Sequence, residues 1–523
     1  MKRRNFFKTA AIGGGSLALA PISSCIQPAT QSSDEVDYTH FDLNELTITE
    51  LQEKMKSGDL TSEEITKKYL DRIELIDKNG PELRSVIEVN PEALDIARQL
   101  DTERKSGKVR SLLHGIPVLI KDNIDTGDQM QTTAGSLALV GKPAPDDAQI
   151  VKKLREAGAV LLGKTNLSEW ANFRSTKSSS GWSGRGGQVR NPFCLDRSPC
   201  GSSSGTGAAV SANLCAIGIG TETDGSIVCP SGINGIVGIK PTVGLWSGDG
   251  IIPISHSQDT AGPMARTVSD AAVLLGLLAE KNQDYTPYLD VNGLKNSRIG
   301  IASDFFGFNN DVEKQLAEAI KILKEQGAEI VENIKFDNRS EWGDLEWQVL
   351  ISEFKADLNA YLKTRVRLQV QSLADLINFN NKNKDTELKW FGQEIFEEAE
   401  KTSGLEEKVY LDALRKVREL TRQKGIDLLM DQHRLDALIA PTNGPAWTID
   451  WVNGDHFGGG SSEPAAIAGY PSVTVPAGYV HGLPVGLSFF GRAWSEPTLI
   501  KLAFAFEQAT KHRKAPGFLK SIL

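Results

Sequence analysis

An α/β fold is the class this 523-residue sequence predicts, and three observations carry that expectation. Short apolar, β-prone runs recur along the chain, at residues 116–120, 159–162, 435–440, 472–475 and 484–490. Segments with apolar residues at helical spacing alternate with them, notably 46–76, 91–106, 149–157, 312–326 and 397–424. The composition is that of a folded globular chain, 40% hydrophobic and 24% charged with 49 glycines. A net charge of -9, with no basic stripe, excludes a nucleic-acid surface, because phosphate binding needs clustered Lys and Arg.

The first 25 residues read as an address. Lys2-Arg3-Arg4-Asn5-Phe6-Phe7-Lys8 has the form of a twin-arginine export signal, and an apolar run at 10–22 follows. That run is shorter than the roughly 20 apolar residues a membrane span needs. Ile22-Ser23-Ser24-Cys25 resembles a lipoprotein processing site, so Cys25 is a candidate lipid anchor in a periplasmic or membrane-anchored protein. Residues 26–40 suit a flexible tether, and residues 41–523 form the remaining domain.

Scaffold comes next. Thr61-Ser62-Glu63-Glu64 is a capping box, and Ile65, Tyr69, Ile73 and Ile76 then mark one helical face. The run ending at Lys121 is different, since it places a lysine at the end of a buried strand. Pairing with Asp122 or Asp125 is one reading. The other is a desolvated amine, whose pKa falls from about 10.4 towards neutrality and which can then act as a base.

Two motifs mislead. Gly158-Ala-Val-Leu-Leu-Gly163-Lys164-Thr165 fits the P-loop pattern letter for letter, but its variable residues are the strand itself and a helix precedes them. Nucleotide binding is therefore rejected. Gly201-Ser202-Ser203-Ser204-Gly205 fits a nucleophile elbow, which would make Ser203 the nucleophile of an α/β-hydrolase esterase. The preceding residues 191–200 carry two prolines and make poor strand material, which disfavours that alternative. Ser352 and Lys355 fit a Ser-x-x-Lys motif and read as surface decoration on a charged helix.

The stretch 200–232 is dense in glycine and serine, with small-residue loops at 201–207 and 218–225 around a helix and then a strand. Such loops turn tightly and aim backbone N–H groups at incoming negative charge. Downstream of residue 25 the chain has Cys194, Cys200, Cys215 and Cys229; no Cys-x-x-Cys or neighbouring histidine suggests a zinc site. Four buried thiols are favoured over one disulfide.

Gly115-Ile-Pro-Val-Leu-Ile-Lys121-Asp-Asn, Gly163-Lys-Thr-Asn166, Gly201-Ser-Ser-Ser-Gly205 and Gly220-Thr-Glu-Thr-Asp-Gly-Ser226-Ile together resemble the amidase signature family. Gly238-Ile-Lys-Pro-Thr242, Gln258-Asp-Thr-Ala-Gly-Pro-Met264, Ala468-Gly-Tyr-Pro471 and Gly482-Leu-Pro-Val-Gly486 extend the likeness to nearly everything after the tether. Within the family, Asp196-Arg-Ser-Pro-Cys-Gly-Ser-Ser-Ser204 and Gly225-Ser-Ile-Val-Cys-Pro230 are similar to bacterial peptide amidases. The resemblance implies a large mixed β-sheet core covered by α-helices and hydrolysis of a carboxamide without metal or organic cofactor. The substrate is then a small amide or an amidated peptide. It also implies Ser226 as nucleophile, Ser202 as a bridging serine after a cis peptide bond, and Lys121 as base. The N–H groups of Thr223, Asp224, Gly225 and Ser226 would form the oxyanion site. Ser203, Asp224, Met130 and Trp182 are candidate substrate contacts. Where the family often has Gly-Gly-Ser-Ile-Arg, this chain has Asp224-Gly-Ser-Ile-Val228, so its specificity is not transferable from other members. A non-catalytic surface binding protein on the same scaffold is the alternative from another class.

Overall fold

The apolar runs become strands of an eleven-stranded sheet. The structure is a computed structural model and describes residues 37–281, 283–365 and 368–522. In chain order the strands are β1 (Val86–Val89), β2 (Pro117–Lys121), β3 (Val160–Thr165), β4 (Trp182–Ser183), β5 (Gly187–Gln188), β6 (Ile217–Glu222), β7 (Val237–Lys240), β8 (Thr260–Ala265), β9 (Arg298–Ala302), β10 (Glu329–Ile334), β11 (Ala437–Pro441), β12 (Ser472–Val480) and β13 (Leu483–Phe490). β4 and β5 pair with each other, and the rest lie in the order β1-β3-β2-β6-β8-β7-β12-β13-β11-β9-β10. β3, β2 and β6 pair in parallel, as do β11, β9 and β10, while the other neighbours are antiparallel. The sheet is therefore mixed, as the resemblance implies.

Every residue of β2, β3 and β6 is buried. Helices cover a central strand on both faces, which is why these strands read as continuous apolar runs rather than alternating ones. Residues 46–76 divide into the helices Ile48–Ser57 and Ser62–Arg72 and a π-turn, because Gly58 (φ 84°) closes the first and Thr61 caps the second. Residues 397–424, expected as one helix, are likewise split. The helices Glu394–Glu400 and Lys408–Thr421 are separated by a turn through Gly404 at φ 137°.

Two sequence expectations are corrected. Ser352 is 2% exposed in the helix Trp342–Thr364, accepting from Gln348 Nε2 at 3.0 Å, and is not surface decoration. In place of four thiols downstream of the leader, Cys200 and Cys229 form a disulfide, leaving Cys194 and Cys215 buried and free. The helix Ser204–Ser211 runs away from Cys200 and β6 runs back, which returns the chain to its start; a spacing of 29 residues does not reveal that. The P-loop-like segment is strand β3, as its apolar residues demand, and Lys164 Nζ is occupied by Ile124 O at 2.7 Å and Thr132 Oγ1 at 2.9 Å. The export signal, Cys25 and tether residues 26–36 lie outside the described residues. Among the described residues no helix is long and apolar enough to cross a membrane.

Candidate active site

Lys121 is the last residue of β2 and is fully buried. Neither neighbouring carboxylate pairs with it: Asp122 is held by Thr133 and Arg185, and Asp125 by Tyr361 (2.8 Å) and Arg365 (3.4 Å). Its Nζ instead lies 2.8 Å from Ser202 Oγ, 2.9 Å from Thr221 Oγ1 and 3.2 Å from Thr221 O. Burial pulls its pKa down to about 7, against the opposing pull of the Asp259 and Glu222 carboxylates. A neutral amine has two N–H bonds and one lone pair. Thr221 offers an acceptor for each N–H, through its carbonyl and its hydroxyl, which leaves the lone pair for the Ser202 O–H. Asn123 Nδ2 donates to the same Thr221 hydroxyl at 3.0 Å and helps to orient it.

Ser202 follows a cis Gly201–Ser202 peptide bond, and its carbonyl accepts from Ser168 N–H at 3.1 Å. Glycine is required at 201 because a Cβ there would lie 2.1 Å from Ser168 Oγ. One residue on, Ser203 N–H donates to Ser226 O at 3.1 Å, bringing the two serine-bearing segments side by side. The Ser203 hydroxyl donates to Thr221 O at 3.0 Å and accepts from Thr221 N–H at 3.1 Å. It is thus engaged with the end of β6.

After β6 the chain turns through Thr223, Asp224, Gly225 and Ser226 and enters the helix Val228–Ile233. Gly225 has φ 76°, a left-handed conformation that favours glycine. None of the four N–H groups of this turn donates to another described residue. Glu222 Oε2 ties the turn down by accepting from Ile227 N–H (2.7 Å) and Val228 N–H (2.9 Å). Asp259 holds the other side, accepting from Thr223 Oγ1 at 2.5 Å and from Ile254 and Ser255 N–H at 2.7 and 2.9 Å. Burial pushes the Asp259 carboxyl up to about 6. A cavity of about 30 Å³ adjoins the turn, lined in part by Asn123, Ala171, Thr223, Ile252 and Ile254. Burial, with repulsion from the Glu222 and Glu463 carboxylates, pushes Asp224 up to about 7, and burial with repulsion from Asp224 pushes Glu346 up to about 8.

None of the four expected substrate contacts, Ser203, Asp224, Met130 and Trp182, lines this cavity. Met130 is fully buried in the main core, and Trp182 packs edge-on against Phe391 at 5.2 Å and is 7% exposed. Asp224 stays beside the site, with a buried Oδ1 that has no hydrogen-bond partner among the described residues. Thr221, Glu222, Asn123 and Asp259 were missed by sequence reasoning although all four lie inside the quoted motifs. Their signal is position within the motif; their roles need the distances. The carboxylates of Glu353 and Asp357 and the ring of His256 come within 4.8 Å of one another. Hydrogen bonds from Ser255, Ser257 and Tyr410 to Glu353, and from His256 to Asp357, occupy that group.

The arrangement is a buried amine, two hydroxyl-bearing segments and a turn of undonated N–H groups, which together equip a site for acyl transfer. A family model described as Amidase matches residues 64–500. The chain belongs to the amidase family. An Arabidopsis thaliana protein named a probable amidase is 44% identical to it over 504 residues, 92% of this chain and 93% of that protein. Among solved structures, native peptide amidase from Stenotrophomonas maltophilia superposes on this amidase with a TM-score of 0.87 at 50% identity, over 91% of this chain and 99% of the other. A peptide amidase bound to the competitive inhibitor chymostatin gives 0.89 at 51%, over 91% and 100%. The protein is an amidohydrolase that cleaves a carboxamide C–N bond.

Proposed function

We propose that Ser226 is the nucleophile of this amidase, Ser202 the relay and Lys121 the base. The observation that carries this reading is a buried, near-neutral Lys121 with Nζ 2.8 Å from Ser202 Oγ. Lys121 takes the Ser202 proton as Ser202 takes that of Ser226, and Ser226 Oγ attacks the carboxamide carbon. The oxyanion of the tetrahedral intermediate is received by the N–H groups of Thr223, Asp224, Gly225 and Ser226, where loss of one donor costs about 100-fold or more in rate. The Lys121 ammonium then returns its proton through Ser202 to the leaving nitrogen, the C–N bond breaks and ammonia departs. Water attacks acyl-Ser226 over the same relay and frees the acid. Ser203, engaged on both sides with Thr221, supports the turn, and this disfavours an esterase built on it.

Thr221→Val removes one of the two acceptors for Lys121 N–H and leaves the Asn123 amide unpaired. With unpaired buried groups costing about 1–3 kcal/mol, kcat is expected to fall about 10- to 100-fold. Thr221→Ser should restore most of it, and steady-state kinetics on one amide substrate compares the two.

C-terminally amidated peptides are the proposed substrates, supported by the likeness to solved peptide amidases at 50% and 51% identity. Residues 41–523 make up the amidase domain in this reading. Export by residues 1–25, with Cys25 as lipid anchor to the membrane, is part of the same proposal. The Cys200–Cys229 disulfide supports it, because such bonds persist in oxidising compartments outside the cytoplasm. Ammonia release across amidated di- to hexapeptides and simple aliphatic and aromatic amides is the test. A kcat/KM at least about tenfold higher for the peptides is expected. Turnover of the simple amides alone would overturn the peptide assignment.

A further inference from the structure

The disulfide joins two short segments, each of which carries a serine of the proposed triad. Cys200 stands two residues before Ser202, and Cys229 stands three residues after Ser226. Between the segments the chain passes through the helix Ser204–Ser211 and β6, so nothing local holds one serine against the other. Direct links that cross include the Ser203 N–H to Ser226 O hydrogen bond at 3.1 Å and Asn234 Nδ2, which donates to Pro199 O at 2.9 Å and to Pro230 O at 2.7 Å. The covalent link among them is the Cys200–Cys229 bond, with a Cα–Cα distance of 6.1 Å.

Each cysteine is also tied to its own serine's segment. The Cys200 carbonyl accepts from Ser204 Oγ at 2.7 Å, spanning Ser202, and Cys229 N–H donates to Gly225 O at 2.8 Å, spanning Ser226. Both cysteines are buried, in an apolar cluster with Cys194, Ile233, Trp447 and Leu483. Asn443 Nδ2 lies 3.3 Å from Cys229 Sγ. Cys194 does not compete for the bond. Burial and the Asp196 carboxylate, to which its thiol donates at 3.1 Å, push its pKa up, and a protonated thiol does not attack a disulfide.

We propose that Cys200 and Cys229 are a positioning pair for the reaction: their bond holds the Ser202 and Ser226 segments against each other, and the approach of the two serine hydroxyls for proton transfer depends on it. The inference rests on the triad assigned above. Proton transfer between two hydroxyls requires about 2.6–3.2 Å, and a misplacement of about 1 Å costs about 100-fold. Lys121 and Ser202 sit on the same side of the link and keep their contact without it. Loss of the disulfide therefore acts on the Ser202 to Ser226 step and leaves the ionisation of Lys121 unchanged.

The test compares wild type, Cys200→Ala/Cys229→Ala and Ser226→Ala for amide hydrolysis, with thermal melts as a check on folding. For the double cysteine variant kcat is expected to fall about tenfold or more, with KM within about twofold. The low-pH inflection of its pH–rate profile should stay where wild type has it, and its labelling by a fluorophosphonate should slow in parallel with kcat. Wild-type kcat in the folded variant, or a kcat loss accompanied by an equal rise in KM or a moved inflection, overturns the proposal. If the variant does not fold, wild type reduced with dithiothreitol and then reoxidised takes its place, and kcat must fall and return. Full activity in Ser226→Ala would instead overturn the triad assignment. An inactive Ser226→Ala beside a fully active cysteine variant overturns this inference alone.

Discussion

Ser226→Ala is expected to lower kcat for carboxamide hydrolysis by about 10⁴-fold or more while the thermal melt stays close to that of wild type. In serine hydrolases of known mechanism, losing the nucleophile costs about 10⁶ in kcat and leaves only the contribution of binding and the oxyanion site. A drop of 10⁴ corresponds to about 5.5 kcal/mol of transition-state stabilisation. The fold should tolerate the change because Ser226 contributes to the turn through its backbone carbonyl, which accepts from Ser203 N–H, and alanine keeps that carbonyl. Single-turnover assays with mass analysis give a second reading: wild type should accumulate an acyl adduct on the peptide bearing residue 226, and the variant none. Retained turnover in Ser226→Ala, with loss in Ser203→Ala, would move the nucleophile to Ser203.

Lys121→Ala is expected to lower kcat by about 10³-fold or more, and the wild-type pH profile shows why. A base must be uncharged to accept a proton. Burial brings the Lys121 pKa down to about 7, so above that value the amine is neutral and the relay works. Below it the ammonium has no lone pair for Ser202, and the rate falls about tenfold per pH unit. The profile of kcat/KM should therefore rise with pH, pass half-maximum near 7 and level off above. Lys121→Ala should lose that ascending limb along with its activity. An inflection near 10, the range of a solvated lysine, would mean that the amine is not held in a dry site.

Much of this was legible before any coordinates. The buried run ending at Lys121, the capping box at Thr61 and the failure of the P-loop pattern followed from residue type and spacing, because strand burial and helix capping are local properties. The amidase resemblance named Lys121, Ser202 and Ser226, and the structure brings Lys121 to hydrogen-bonding distance of Ser202 and the backbone of the Ser226 segment against Ser203. Element ends were less legible. β3 runs on through Lys164 and Thr165, beyond the apolar run at 159–162, because their backbones pair with β1 and β2. The helix over residues 397–424 broke where its periodicity continued, because a turn at Gly404 is not visible in apolar spacing.

Residue order by itself determined the chemistry available here: an amine at the end of a dry strand, two serines among glycines, and turns tight enough to present N–H groups. Tertiary structure alone decided which groups meet. It assigned both acceptors of Lys121 to Thr221, placed Asp259 under Thr223, sent Met130 into the core and Trp182 against Phe391, and closed Cys200 onto Cys229. The physical reason is range. Backbone preference and burial act over a few residues, whereas hydrogen bonds and disulfides across a sheet depend on register between segments tens to hundreds of residues apart, which only the assembled sheet defines.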